Sequence, residues 1–572
     1  MMAAGNFRLL QNSKTSSSAR VKQSVLLGNV LTKQLLTGAL ACSLLVLSAF
    51  PSRAAAATSV GGFVAELSWT TNDSPVTVTN DLVVSNLTVR AGVVVQTMPG
   101  FQITVTNILA ATGSSTNLIT FGATDINAGW LGLRLTSTNA GCTFQGCVVQ
   151  NATSGGLRIQ GAPLTIRQSN FLNNRGRRGG AISSDSSLTL ESCSLQANAA
   201  YYIESQSPFS VDGGGIYYTG TNLTLNSCTL TNNTAIMPYL GNVIANSTGG
   251  GISLQTGTLT LNRCIFAGNQ VRCDGLTPRS YGGAVYGAGS GLIIADNCTF
   301  TGNSSYCPAD GGGGAIAAFK PAVFRDCTFD GNGASTTAGH AVGTALWSTD
   351  SLNATNCIFT RNSGSFTFNG GTVSGAWYGG SGVAENCTVV YNSVAGFDNF
   401  SGTIRNSIIY FNSPQQIYGS PTLLYSDVQG GYAGTGQNII TTDPGFLSST
   451  DFRLTNNASA VDMGDPAAIF NDVALPPSLG TIRNDLGAYG GPGAALWSQF
   501  VPTTLQLSLY PGVTIQGLVG GTYAVQVAPN LTAPIAWQTL TNIVLPYSPF
   551  LFFDSVPAIP GQQRYYRAVI TP

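Results

Sequence analysis

Residues able to do acid, base or metal chemistry are scarce in this chain. Asp, Glu, Lys and Arg make up 8% of 572 residues, and His340 is the single histidine. One histidine excludes a two-histidine zinc site, and a catalytic triad could use only His340. Its setting, "TTAGHAVGT", is typical of a turn. The remaining candidates for chemistry are carboxylates assisted by arginine or lysine.

Four acids cluster towards the C-terminal third, at Asp462, Asp465, Asp472 and Asp485. Hard oxygen ligands in a glycine-rich loop suit Ca²⁺, so one interpretation is a calcium site near Asp462 and Asp465. The alternative, which we favour, is turn capping, in which Asp side chains accept hydrogen bonds from their own backbone. We expect no other cofactor.

The elements that position these residues come from a repeat. Short related phrases such as "SCSLQAN", "SCTLTNN", "RCIFAGN" and "DCTFDGN" recur, and aligning them gives register points 20 to 36 residues apart. The register points are Cys147, Ser169, Cys193, Cys228, Cys264, Cys298, Cys327, Cys357, Cys387 and Ser407. An apolar residue follows each point by two positions. An asparagine follows nine of them by five positions, namely Asn174, Asn198, Asn233, Asn269, Asn303, Asn332, Asn362, Asn392 and Asn412.

Within each repeat, apolar residues alternate as they do in strands. "LTLNSCTL", for example, points Leu223, Leu225 and Leu230 to one side. A unit of this length cannot bury its apolar face alone, so successive units must stack as coils whose strands pair in parallel ~4.8 Å apart. Equivalent residues then form columns, and stacked Asn amides form a ladder because each amide both donates and accepts.

The same alignment explains most of the charges. The column two residues before the register point places opposite charges one coil apart in three pairs, Arg167 with Glu191, Asp296 with Arg325, and Glu385 with Arg405. Cross-strand pairing of this kind is structural. We therefore assign no catalytic residue, although a polysaccharide lyase or hydrolase could use these acids if they converged on an open strand face.

Glycine pairs such as "GGAI" at Gly179 and Gly313 mark a second corner of the coil. Together with FxxN phrases such as Phe266-Asn269 and Phe300-Asn303, they resemble the repeats of chlamydial polymorphic outer membrane proteins. The wider resemblance, from Ser74 to Gly493, is to right-handed parallel β-helix proteins of the pectin-lyase-like superfamily. It implies that fold but not one function, because the superfamily includes lyases, hydrolases, adhesins and passive surface proteins.

Both ends of the chain differ from the repeat. Basic residues precede an apolar run from Leu35 to Phe50 and "SRAAAA", so residues 1–57 are predicted to be a bacterial signal peptide. Residues 58–493 would form the β-helix with its N-terminal cap and closing segment. Residues 500–572, with five to seven strand patterns, predict a small β-sandwich-like module. The fold class is thus all-β, a right-handed parallel β-helix solenoid followed by that module.

Cysteines in the register column are expected to be small buried hydrophobes. Cys273 and Cys307 differ, because each lies nine residues past a register cysteine, in neighbouring coils. Export permits oxidation, so a disulfide between them is predicted.

Long coils carry extra residues between the ladder Asn and the next glycine pair. Loops grouped on a rigid scaffold are where recognition usually resides. The candidate binding residues there are Tyr201, Tyr202, Glu204, Tyr239, Arg272, Asp274 and Arg279. A separate aromatic column, with Tyr218, Trp347 and Trp377 each ten residues before its register cysteine, is expected to stack in the core rather than form a carbohydrate platform.

These patterns favour a secreted or cell-surface protein with an adhesive, structural or carbohydrate-binding role, without catalysis. The alternative is a polysaccharide lyase or glycoside hydrolase acting on an extracellular glycan. The formal net charge is zero, so no basic field exists to attract nucleic acid. An extracellular polysaccharide is the expected partner, and no membrane span is expected after signal cleavage. The oligomeric state is left open.

Overall fold

The structure is a computed structural model that describes residues 58–202, 210–238, 246–274, 279–337, 339–366, 372–474, 476–494, 511–554, 556 and 562–571. The predicted signal peptide therefore lies outside the described residues. Among the residues that are described, no helix is long and apolar enough to cross a membrane.

The chain winds into a right-handed parallel β-helix whose coils each contribute three short strands, one to each of three faces. We call these faces 1, 2 and 3 in the order in which the chain meets them after the glycine pair. Every strand pairs in parallel with the equivalent strand of the next coil, so one continuous 38-stranded sheet encloses the core.

Face 1 consists of Leu133–Leu135, Leu157–Ile159, Ile182–Ser184, Ile216–Tyr218, Ile252–Leu254, Val285–Gly287, Ile316–Ala318, Leu346–Ser348, Trp377–Tyr378, Phe397–Asp398 and Ile417–Tyr418. Face 2 consists of Thr143–Gln145, Leu164–Arg167, Leu188–Glu191, Asn222–Asn226, Thr258–Asn262, Ile293–Asp296, Ala322–Arg325, Ser351–Thr355, Ser381–Glu385 and Thr403–Arg405. Face 3 consists of Val94–Thr97, Ile119–Ala123, Cys147–Gln150, Asn170–Leu172, Ser194–Gln196, Thr229–Thr231, Ile265–Ala267, Thr299–Thr301, Thr328–Asp330, Ile358–Thr360, Thr388–Val390 and Ile408–Tyr410.

Longer strands begin and end this body. At the N-terminal end, Thr58–Trp69, Val76–Arg90 and Ile103–Thr112 each run across more than one face, with the 3-10 turn Thr71–Asp73 between the first two. At the other end, Thr422–Val428 spans faces 2 and 3 and pairs with Gly436–Ile440.

Inward side chains repeat in columns because each coil presents the same position to the same neighbour. The phenyl rings of Phe266, Phe300, Phe329 and Phe359 stack along the axis with centroids 5.0, 4.9 and 4.6 Å apart, and all four are fully buried. Such offset aromatic stacking adds to the free energy of burying the rings.

The nine repeated asparagines form one buried ladder. In each step the Nδ2 of one Asn donates to the Oδ1 of the next, from Asn174 to Asn412, at 2.7 to 3.1 Å. The same Nδ2 also donates to a backbone carbonyl of the preceding coil, as Asn303 does to Phe266 at 2.9 Å. The ladder therefore satisfies turn backbone groups that would otherwise be buried without partners.

Register cysteines form a second column, in which each thiol lies against backbone carbonyls. The Cys327 thiol donates to the carbonyls of Arg325 (3.2 Å) and Ala295 (3.3 Å), and burial raises its pKa far above the ordinary thiol range. Ser169 and Ser407 fill the same position with hydroxyls that donate at 2.7 Å.

The sequence predicted loops where the coils are longer, but the structure shows that these insertions begin and end with strands. Each long coil sends one strand outward and one back, and these strands stack from coil to coil into two further parallel sheets that we call the side lobe. The outgoing strands are Arg175–Gly176, Ala199–Tyr201, Thr234–Met237, Gln270–Cys273, Ser304–Cys307, Gly333–Thr336 and Ser363–Phe366. The returning strands are Ser210–Asp212, Asn246–Thr248, Arg279–Tyr281, Asp310–Gly312, His340–Val342 and Thr372–Ser374.

The side lobe has its own small core between its two sheets. Ala200, Ala235 and Val271 of the outgoing strands pack there with Val211 of a returning strand. The Ser280 hydroxyl of a returning strand donates to the Tyr306 carbonyl at 2.8 Å, which ties the two sheets together.

Two of the three predicted charge pairs on face 2 are direct ion pairs, Arg167 with Glu191 at 2.8 Å and Arg325 with Asp296 at 3.0 Å. The third differs. Glu385 and Arg405 are cross-strand neighbours, but the Arg405 guanidinium lies 3.8 Å from Asp465 and over the ring of Phe470. The closing segment therefore supplies the partner that the repeat alone predicted to be Glu385.

That closing segment, residues 443–494, folds back along the outside of the last coils and includes the 3-10 turn Ala468–Phe470. Its apolar residues cover outward face 3 positions such as Ile358 and Ile408. The Asn356 amide donates to the carbonyls of Ala488 (2.9 Å) and Gly490 (2.7 Å). The segment thus shields the C-terminal part of face 3 from water.

Five antiparallel strands follow in the described part of the C-terminal region. Gly512–Ile515 pairs with Phe550–Phe553, and Thr522–Ala528 lies between Gln538–Val544 and Tyr565–Thr571. Ile515, Tyr523, Val525 and Leu545 form the core of this region.

Candidate functional site

The outward positions of face 1 form the floor of the candidate site. One residue per coil points outward at the middle of each strand, and the register aligns these residues into a single column. From the N-terminal end the column reads Arg134, Arg158, Ser183, Tyr217, Ser253, Tyr286, Ala317, Trp347, Tyr378, Asp398 and Tyr418. At ~4.8 Å per coil, the column is about 48 Å long.

The returning sheet of the side lobe forms a wall beside this floor. Its strands turn into face 1 through the glycine pairs, and the first glycine of each pair has a positive φ, as at Gly282 (+71°). A side chain on the next glycine has no room, since a Cβ on Gly283 would lie 2.1 Å from the Gly314 carbonyl oxygen. The glycines therefore permit the sharp corner that brings wall and floor together.

A cluster of four aromatic rings lies in this concave corner. Tyr281 of the wall contacts Tyr286 and Trp347 of the floor, with ring centroids 6.1 and 5.1 Å apart. Phe319, at the end of the Ile316–Ala318 strand, packs edge-on against Trp347 at 4.8 Å. All four rings are partly exposed, and burial raises the pKa of the Tyr281 phenol to about 12. At neutral pH the phenol is therefore a neutral hydrogen-bond donor.

Arginines define the N-terminal end of the corner. Arg158, Arg177 and Arg178 line one open cavity of about 200 Å³ together with Ser154 and Ser183. Arg134 lies one coil before Arg158 in the floor column. This end of the site presents guanidinium and hydroxyl donors, and so suits an anionic or strongly hydrogen-bonding ligand.

Between the arginines and the aromatic cluster, Arg178 contacts both Asp212 and Tyr217. The Arg178 guanidinium lies 3.4 Å from the Asp212 carboxylate and 5.3 Å from the centre of the Tyr217 ring. Asp212 is buried and accepts a hydrogen bond from the Thr248 hydroxyl at 2.7 Å. Burial is the main cause that raises the pKa of Tyr217, and the nearby Asp212 charge adds to it.

The described carboxylates of the corner are far apart. Paired-carboxylate hydrolysis needs two carboxyl groups roughly 5 to 10 Å apart. The described carboxylates of the corner are Asp212 and Asp310 in the wall, three coils or about 14 Å apart along the axis, and Asp398 in the floor, six coils or about 29 Å beyond Asp212. Asp212 itself is held in place by the Thr248 hydroxyl and the Arg178 guanidinium.

The candidate residues predicted from the sequence divide between two sides of the side lobe. Tyr201 and Arg272 point outward from the outgoing sheet, two coils apart in one column. Arg272 is held by Asp274 at 2.8 Å and lies over the Tyr306 ring at 5.0 Å. These residues face away from the corner and do not line the site described above.

Arg279 is on the other side, because it points outward from the returning sheet, beside its cross-strand neighbour Asp310. It belongs to the wall of the corner. Tyr202 packs against the small core of the side lobe. Glu204 and Tyr239 lie outside the described residues. The structure therefore brings one of the seven predicted residues, Arg279, to the concave corner.

The predicted aromatic column is wrong. Tyr218 and Trp377 are buried in the core, but they occupy different positions of the face 1 strand, and Trp347 points outward to the site. Leu346, not Trp347, pairs with Trp377. The turn from face 1 to face 2 is one residue shorter in the coil of Trp377 than in the coil of Trp347. A shift of one residue along a strand moves a side chain to the opposite face, so the same distance from the register cysteine places Trp377 inward and Trp347 outward.

Cys273 and Cys307 lie at the ends of neighbouring outgoing strands and are both buried. Burial raises the pKa of the Cys307 thiol to about 12. Their disulfide stays a prediction.

The acids proposed for calcium serve as hydrogen-bond acceptors within the closing segment. Asp462 accepts from the backbone N–H and hydroxyl of Thr481, and Asp465 accepts from the backbone N–H of Ala467. Burial raises the pKa of Asp472 to about 7 and that of Asp485 to about 6. In the described ranges no group of three or more candidate metal ligands occurs. Calcium at Asp462 and Asp465 stays a proposal.

Comparison with known families supports the fold. The family model described as "Right handed beta helix region" matches residues 107–270 and 239–377. These ranges contain the first eight strands of face 1 and the described strands of the side lobe. No curated protein matches the chain.

Proposed function

We propose that this β-helix protein binds an extended polysaccharide in the concave corner between face 1 and the side lobe, and that it does so without cleaving it. The observation that carries the proposal is the cluster of Tyr281, Tyr286, Phe319 and Trp347, partly exposed in a concave position. Aromatic faces there can stack on the apolar faces of sugar rings, while the phenols supply hydrogen bonds.

The geometry of the floor supports an extended ligand. Tyr217, Tyr286, Trp347 and Tyr378 recur along one straight column, separated by one or two coils. A linear polymer lying along the helix axis would meet these rings in succession. Several weak contacts along one chain give useful affinity through their effective concentration.

Export completes the proposal. A signal peptide of residues 1–57 would place the protein outside the cytoplasm, at the cell surface or in the medium, where polysaccharides are found. The first strand begins at Thr58, directly after the proposed cleavage site. Determining the N-terminal sequence of the protein from the extracellular fraction tests this. We expect a mature chain that starts at or near Thr58, and an N-terminus that still includes the apolar run from Leu35 to Phe50 would contradict it.

The binding test uses one variant in the corner and one matched control. Trp347→Ala removes the largest ring of the cluster, and Tyr201→Ala removes an exposed aromatic ring on the opposite side of the side lobe. On a glycan array and then by calorimetry with the best ligand, we expect Trp347→Ala to weaken binding about tenfold, corresponding to ~1.4 kcal/mol. Tyr201→Ala should bind as the wild type does.

Two results would overturn the proposal. The wild-type protein binding no polysaccharide is one, and equal losses in the two variants is the other. Catalysis is tested by incubating the bound polysaccharide with the wild-type protein and measuring new chain ends. Release of fragments that stops in Arg178→Ala would favour the lyase or hydrolase alternative.

A further inference from the structure

The four arginines at the N-terminal end of the corner stand out because arginine is scarce in this protein. Residues 58–572 contain 17 arginines and one lysine against 24 acidic residues. Several outward arginines elsewhere form ion pairs with acids of the neighbouring coil, as Arg167 does with Glu191 at 2.8 Å and Arg361 with Asp330 at 2.6 Å. A cluster of arginines therefore needs a separate reason.

Arg134 and Arg158 are direct cross-strand neighbours, and like charges in that position repel each other. Their neighbours on either side in the column are Thr104 and Ser183, so the register supplies no acid to either. The Arg134 guanidinium donates to Gln160 at 2.9 Å, while its Nε is buried without a hydrogen-bond partner among the described residues. Arg158 is exposed.

Arg177 and Arg178 extend the cluster around the cavity that they share with Arg158. The Arg178 guanidinium is oriented by Ser210 at 3.3 Å and by the Asp212 carboxylate at 3.4 Å. Arg134 and Arg158 have no acid beside them in their column, and Arg178 has one in Asp212, so these three guanidinium groups favour an anion at this end of the corner. An anion placed between them would relieve the repulsion and accept several charge-assisted hydrogen bonds.

We infer that the N-terminal end of the corner binds an acidic substituent of the glycan, a carboxylate or a sulfate ester, so that the ligand is an acidic polysaccharide. This inference rests on the proposed function. The floor separates the two contacts, because Arg158 lies four coils, about 19 Å, before Tyr286. A ligand that engages both the arginines and the aromatic cluster must therefore be an oligomer.

Three dextrans of equal length provide the test, because they share one backbone and differ only in charge. Dextran sulfate carries sulfate esters, carboxymethyl dextran carries carboxylates, and dextran itself is neutral. Affinity electrophoresis at low ionic strength should show at least one charged form binding ten or more times more tightly than dextran. The preference should fall steeply as salt is added, since screening weakens charge contacts. Whichever charged form binds best identifies the acidic group.

The variant Arg134→Ala/Arg158→Ala should lose about tenfold in affinity for the charged dextran and keep its affinity for the neutral one. Arg325→Ala, which removes an outward arginine from face 2, is the control for charge and should change neither. Circular dichroism melts show whether the double variant is folded. Arg158→Ala alone, at an exposed site, gives the same comparison at smaller amplitude if the double variant unfolds.

The outcomes separate the two proposals. Equal binding of charged and neutral dextrans through Trp347 would overturn the acidic ligand and leave polysaccharide binding intact. Equal losses in the Arg158 and Arg325 variants would also overturn the acidic ligand. Binding to none of the three dextrans, together with a blank glycan array, would overturn both.

Discussion

Removing one amide from the middle of the asparagine ladder should weaken the coils on both sides of it. The Asn303 side chain is fully buried and makes four hydrogen bonds. Its Nδ2 donates to the Phe266 carbonyl (2.9 Å) and to Asn332 Oδ1 (3.0 Å). Its Oδ1 accepts from the backbone N–H of Asn269 (3.0 Å) and from Asn269 Nδ2 (2.9 Å). Asn303→Ala deletes all four hydrogen bonds and leaves the four partner groups buried without them.

The magnitude follows from those four partners. A hydrogen bond contributes about 1 kcal/mol net, and a buried group left without its partner costs about 1 to 3 kcal/mol. Four bonds therefore correspond to a loss of at least ~4 kcal/mol in the free energy of local opening, or roughly a thousandfold in the opening equilibrium.

Hydrogen exchange at single amides measures this directly. The reporter is the backbone N–H of Asn269, which donates to Asn303 in the wild type. We expect its exchange to accelerate roughly a thousandfold in Asn303→Ala, subject to the ceiling set by unprotected exchange. Thr301→Ala, two residues earlier on the partly exposed outer side of face 3, is the control and should change the free energy by less than about 0.5 kcal/mol. Acceleration of less than tenfold, or equal to that in the control, would refute the ladder as a stabilising element.

Three further predictions concern buried groups. Asp427 is fully buried with neither carboxylate oxygen hydrogen-bonded in the described structure, and burial with the nearby Asp443 charge raises its pKa to about 8. Because that pKa lies above its unfolded value of about 4, the free energy of unfolding should fall as pH rises from about 4 to 8. Denaturant midpoints measured across this pH range should fall less in Asp427→Asn than in the wild type. Equal falls in the two proteins would contradict this. Cys327→Ser should change the free energy of unfolding by less than about 1 kcal/mol, since Ser169 and Ser407 already fill that column. Cys327→Leu should cost about 1 to 3 kcal/mol more, because the larger side chain overpacks the core. Similar melting curves for both variants would refute the tight packing of the column. If Cys273 and Cys307 form a disulfide, reduction should add the mass of two hydrogens to the exported protein and should leave the mass of Cys307→Ser unchanged. Thiols at both positions before reduction would contradict the disulfide.

The sequence predicts the repeated parts of the fold because stacking imposes identical requirements on every coil. Each buried turn needs an amide that donates to the next coil and accepts from the preceding one, and so Asn recurs from Asn174 to Asn412. Each inward position needs an apolar side chain of suitable size. Such constraints leave a periodic signal in the sequence even where coil lengths vary.

The side lobe and the candidate site leave a much weaker signal. Returning strands such as Ser210–Asp212 and Arg279–Tyr281 are three residues long, too short for alternation to be recognised. These strands form because each pairs with the equivalent strand of the next coil, and that pairing leaves no pattern in the local sequence. The direction of Trp347 depended on one residue of turn length, which counting back from the register cysteine misses. Aligning the coils on the first glycine of this corner instead, Gly282 and Gly343, would have placed Trp347 outward with Tyr286, because each lies four residues later.

The contrast between the two sides of face 1 explains how one fold can carry a specific site. The first inward position of the face 1 strands, as at Ile216, Ile252 and Leu346, is apolar and fully buried, because a polar residue there without a hydrogen-bond partner would be costly. The outward column carries arginine, serine, tyrosine, alanine and tryptophan in succession, since the backbone hydrogen bonds of each coil form whichever side chain points outward. Binding in the corner can therefore change by substitution without loss of the fold. For the same reason, exposed outward positions such as Arg158 can be substituted to test recognition while the fold is kept.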